Sequence, residues 1–117
     1  MIKGFEEYTH DLTEEELEMA RNVWTILQAS RPDPITNTKI CEKLSARGFE
    51  TSSPRVRKMI NWMHIKGHLP NLIASSKGYH FAESRQELSD YVQSLQGRIM
   101  AIQGRWKRSL EDLKNWK

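Results

Sequence analysis

Few residues in this chain could do covalent or metal chemistry, and their spacing argues against both. His64 and His68 stand four apart, which would put two imidazoles on one helical face, but Gly67 falls between them and predicts the end of that helix. His10, His80 and the single cysteine, Cys41, are scattered, and there is neither a Cys-x-x-Cys pair nor a His-Glu-x-x-His run. Cys41 follows Ile40 on an apolar turn and reads as a small core residue. The acids at Glu14, Glu15, Glu16 and Glu18 are accounted for by helix capping and the helix dipole. No glycine-rich phosphate loop and no paired acid and base in a loop occur. The expectation is a protein that is not an enzyme, with no metal and no cofactor.

A different chemistry gathers in the middle of the chain. The net charge of +3 is unevenly divided: residues 1–30 hold two basic and seven acidic side chains, residues 31–82 nine and three, and residues 83–117 seven and five. Between 51 and 82 there is no acid at all. Such a field suits a polyanionic partner. On a helix over 54–66, Val56, Met59, Ile60 and Met63 fall within about 100° of arc. Opposite them lie Arg57, Lys58, Asn61 and Ile65, with Arg55 and Trp62 on one flank, and His64, Lys66 and His68 extend the basic end. Arginine forks onto guanine, asparagine pairs with adenine, and lysine takes phosphate.

Thr36, Asn37, Thr38 and Lys39 would open the preceding helix, whose amides can bind a phosphate; Thr36 is first of all its cap. Ser53 is expected to cap the 54–66 helix ahead of Pro54 at its first position. Ser75, Ser76 and Lys77 sit at a turn, with Lys77 the contact candidate. Tyr79 and Phe81 share one side of a strand and are expected to cover the core. The candidate DNA-binding set is therefore Thr36, Thr38, Lys39, Ser53, Arg55, Arg57, Lys58, Asn61 and Lys77.

The elements that must position these side chains follow from caps and periods. With 117 residues there is room for one domain and an appended element. Thr13 with Glu16 is a capping box, and Leu12 can staple onto Leu17; Leu17, Ala20, Val23/Trp24 and Leu27 then mark a buried face to about Ala29, where Pro32 and Pro34 stop the helix. A second helix runs over about 37–47, with Ile40 and Leu44 inward and Gly48 past its end. Leu72–Ser75 and Tyr79–Ala82 flank Ser76-Lys77-Gly78 as a β-hairpin. The expected fold class is mainly α with a small β-hairpin (α+β). Its parts are an N-terminal arm (1–12), a domain (13–83) and a C-terminal helix (84–117).

Helix, helix, capped third helix and hairpin, carried by Thr36–Leu44, Ser52–Asn61 and Leu72–Phe81, resemble the winged helix-turn-helix family. The resemblance covers about residues 13–82. It implies that the third helix enters the major groove, the second supports it and the hairpin touches backbone or minor groove.

Beyond that domain, Ser84 and Glu87 open a long helix on which Leu88, Val92, Leu95, Ile99, Ile102, Trp106, Leu113 and Trp116 alternate in steps of four and three, with Ser109 the polar interruption. Leu95, Ile99, Ile102, Trp106 and Leu113 are the candidate dimerisation residues; a break at Gly97 or Gly104 would instead let the helix fold back. No apolar run reaches the ~18–20 residues of a membrane span, the first residues lack a signal peptide's apolar stretch, and a lone cysteine fits a cytoplasmic location. The reading is a cytoplasmic, dimeric, sequence-specific double-stranded DNA-binding protein. It would serve as a small transcriptional regulator or as a phage or mobile-element replication accessory factor. The alternative is a protein-interaction adaptor working through Trp62, Ile65 and the C-terminal helix.

Overall fold

The computed structural model describes residues 12–116; the expected N-terminal arm lies, apart from Leu12, outside the described residues. Among these residues the order is α1 (Glu14–Ser30), α2 (Asn37–Ala46), α3 (Ser53–Ile65), β1 (Leu72–Ser75), β2 (Gly78–Phe81) and α4 (Arg85–Lys114). The chain is mainly helical with one small antiparallel sheet, an α+β composition. It divides into two units at Ala82/Glu83, one residue from the expected boundary.

In the first unit, α1 begins with the expected capping box. The Glu16 N–H donates to Thr13 Oγ1 and the Thr13 N–H donates to Glu16 Oε1, each at 3.2 Å. Met19, Ala20, Val23, Ile26 and Leu27 are buried, whereas Trp24, expected on the inner face with Val23, is 44% exposed. Leu12 is buried in the core, so it belongs to the domain and not to an arm. Thr36 caps α2 as expected, and Gly48 follows that helix at φ 88. For α3 the cap is Ser52, one residue earlier than expected, and its hydroxyl makes no capping bond; Ser53 is already helical. Proline lacks an N–H and fixes φ, so Pro54 tolerates the second helical position as well as the first.

The three helices pack pairwise, and α1 also meets β2. Ile40, Leu44, Val56, Met59, Ile60 and Met63 close the core between them, with Cys41 half-buried at its edge. The hairpin pairs Leu72 with Phe81 and Ser75 with Gly78, so the turn is two residues, Ser76-Lys77, and Gly78 is already in the strand. Ile35 adds a bridge to the outer edge of β2: its N–H donates to the Tyr79 carbonyl (2.9 Å), and its carbonyl accepts from the Tyr79 N–H (2.8 Å). Tyr79 and Phe81 are buried, as expected of a strand face that covers the core.

The second unit is one helix. Ser84 caps α4 by accepting from the Glu87 N–H (3.2 Å), and the Glu87 carboxylate accepts from the Glu83 N–H rather than from the cap residue (3.4 Å). The helix runs without a break through Gly97 and Gly104, so the break that the fold-back alternative required is not there. No helix among the described residues is long and apolar enough to cross a membrane.

Candidate nucleic-acid interface

The outer surface of α3 has two unlike edges. Toward α1, a buried carboxylate organises the charge. Glu16 is only 4% exposed, and Lys58 Nζ donates to both its oxygens, at 3.1 and 3.0 Å. Arg55 lies 3.9 Å from the same carboxylate and 3.8 Å from Glu15. Burial alone would raise the Glu16 pKa; the Lys58 hydrogen bonds, the Thr13 N–H and the Lys58 charge together outweigh it and hold the carboxyl below its ordinary value. Lys58, expected to be a free phosphate contact, is therefore the counterion of a buried acid. Arg55 is half-buried and shared between two acids.

The other edge is different. Arg57, Asn61 and His64 are exposed on α3, and among the described residues the Arg57 and Asn61 side chains have neither ion pair nor hydrogen bond. Arg57 and Asn61 are one helical turn apart and share a face. Ile65 is 61% exposed beyond them. Of the expected set, this is the pair on α3 that is exposed and has no partner among the described residues.

The remaining candidates divide in the same way. The Thr36 hydroxyl is engaged, accepting from the Lys39 N–H at 3.2 Å. Lys39 Nζ lies 3.5 Å from Glu42, an exposed pair worth little in water. Thr38 is exposed, and Ser53 is half-buried at the start of α3. Lys77 occupies the hairpin turn, where its N–H donates to Ser75 Oγ (3.2 Å) while its ammonium is exposed.

A groove of about 430 Å³ runs between α1 and the end of α3, lined among others by Leu17, Trp24, Trp62 and His68. The Trp24 indole donates to the His68 carbonyl (3.2 Å), and the Trp62 and His68 rings lie 5.6 Å apart. The Trp62 indole N–H is buried with no hydrogen-bond partner among the described residues. Among those residues no three His, Cys, Asp or Glu side chains cluster as a metal site.

The residue that sequence reasoning missed is Glu16. Its signal was available: positions 16, 20, 23 and 27 follow the inward stripe of α1, so a glutamate there must be buried. No protein family, curated protein or solved structure matches this chain.

Proposed function

We propose that the chain binds double-stranded DNA through a winged helix-turn-helix domain, with α3 in the major groove. The observation that carries this reading is the outward, acid-free edge of α3, where Arg57 and Asn61 stand exposed, one turn apart and without a partner among the described residues. An arginine fork suits guanine and a carboxamide suits adenine, so the two would address neighbouring base pairs. The Ile35 bridge supports the same reading, because it gives the hairpin a third edge and ties the wing to the start of α2. Thr38 and Lys39 at that start, and Lys77 on the wing, serve as backbone contacts. Arg55 and Lys58 serve the fold of the reading helix, not the base edges.

The role that follows is a small transcriptional regulator or a replication accessory factor of a phage or mobile element. The test is fluorescence anisotropy with random duplex at low salt, followed by selection of a consensus. Binding that weakens steeply with salt supports the reading. Asn61→Ala should then relax preference at one position, costing about 1–3 kcal/mol there. Uniform weakening on every sequence would make Asn61 a phosphate contact. The second reading, a protein-interaction adaptor, is favoured by the Trp24–Trp62 groove and by exposed Ile65; absence of any duplex binding at low salt would select it.

A further inference from the structure

The 30 residues of α4 would span about 45 Å, and none of them is buried. Val92 is 48% exposed, Ile99 55%, Ile102 56%, Trp106 59% and Leu113 71%. Their period is 3.5, not the 3.6 of a straight helix lying on a globular core, so the stripe stays on one side only if the helix supercoils with another. Solvated apolar stripes of this length are exceptional in a chain that acts alone. Together these side chains leave roughly 500 Å² of surface per helix, and two such seams with their flanking stems reach the ~1,200 Å² at which specific interfaces begin.

We propose that this face is covered by the same face of a second copy, in a parallel, in-register, two-stranded coiled coil. The choice of occupant and direction rests on the seam and its edges. Written as heptads, Val92, Ile99, Trp106 and Leu113 fall at a, and Leu88, Leu95, Ile102, Ser109 and Trp116 at d. In the first two heptads, branched side chains at a with leucine at d favour two parallel strands. The edge residues agree. In a parallel pair Arg98 meets Gln103 of the second copy and Arg105 meets its Leu110, so no like charges oppose.

In an antiparallel pair the edge bearing Arg98 and Arg105 faces itself. The register that aligns Ile99 with Ile102 sets Arg98 of each copy against Arg105 of the other along that edge. Shifting it one heptad one way pairs Arg98 with Asp112 but opposes the two copies of Arg105 and buries Ser109 against Ile99. The opposite shift opposes the two copies of Arg98. Asp112, moreover, is already held 2.9 Å from Arg108 of its own helix. Ser109 at d stacks on its own copy in the parallel pair, a single polar layer that fixes the register.

Oligomeric state is measured on the full chain without DNA, so this inference stands or falls apart from the DNA-binding reading. Sedimentation equilibrium at tens of micromolar should give twice 13.7 kDa. Ile102→Glu, at an exposed site whose change leaves the core intact, should return the mass to one copy. Direction is read by Ser109→Cys in a Cys41→Ser background under mild oxidation, since opposed d positions of a parallel pair bring two sulfurs within disulfide reach. Near-complete cross-linking within the dimer is the expected result. A monomeric wild-type chain, or a dimer untouched by Ile102→Glu, overturns the interface; a dimer that does not cross-link overturns the parallel arrangement.

Discussion

Neighbouring cations on α3 have unlike surroundings, and substitution should separate them. Removing the Lys58 ammonium leaves the Glu16 carboxylate buried with fewer donors, so Lys58→Ala should destabilise the fold by about 1–3 kcal/mol in urea unfolding. Arg57→Ala removes an exposed side chain with no partner among the described residues and should leave stability within about 0.5 kcal/mol while weakening duplex binding. Equal losses of stability would erase the distinction between the two edges. Glu16 also sets a pH dependence. Its folded pKa lies below the ordinary 4.5, so its charged form is favoured by folding, and that stability is present above about pH 4.5 and lost as the pH falls through the lowered folded value. The stability gap between wild type and Glu16→Gln should therefore be widest near neutrality and shrink in acid; a gap unchanged from pH 7 to pH 3 would show that the ion pair contributes nothing. At this scale the sequence was half legible. Helical spacing gave the exposed face of Arg57, Lys58 and Asn61, but a wheel carries no information on what the neighbouring helix presents, and the pairing of Lys58 with Glu16 was not legible for that reason.

The elements themselves were legible wherever a cap and a period coincide. Thr13, Thr36 and Ser84 each cap a helix as expected, because an N-cap hydroxyl and the residues after it form one local unit. Ends set by longer-range packing were less legible: Ser52 replaced Ser53 at α3, and the hairpin turn shortened by one residue. The Ile35 bridge was not legible at all, since a one-residue strand has no alternation to read. That bridge explains Gly78. The residue has φ 114, and a Cβ there would fall on the backbone carbonyl of Ile35. Gly78→Ala should accordingly cost about 1–3 kcal/mol from the left-handed backbone alone, with the clash adding to it. A urea midpoint unchanged from wild type would mean that the hairpin and the Ile35 edge are not held together. Gly97→Ala, in open helix with nothing within 4 Å of the added carbon, should act in the other direction and stabilise α4 by about 1 kcal/mol.

For the whole molecule, the unequal division of charge and the exposed seam of α4 make one joint prediction. Of the cations between 31 and 82, Arg55, Lys58 and Lys39 already face acids, and Arg31 lies over the Phe81 ring at 3.8 Å. Arg57, Lys66, Lys77, Lys43 and Arg47 are exposed with no ion pair among the described residues, and of these Arg57 and Lys66 at α3 and Lys77 on the hairpin belong to the proposed reading helix and wing. Three phosphate contacts give a slope of log affinity against log salt near −2.7, so one unit should lose roughly 40-fold between 50 and 200 mM salt. A pair of units joined through α4 and engaged on one duplex should double that slope and lose roughly 2,000-fold. Anisotropy titrations of wild type and Ile102→Glu, on a duplex long enough for two half-sites, compare the two slopes directly. A twofold difference in slope is expected, because the substitution removes the partner's contacts while leaving each α3 unchanged. Equal slopes in a protein that is dimeric would mean that only one unit touches DNA at a time. Equal intercepts and slopes near zero would mean that the basic field of the first unit serves no nucleic acid.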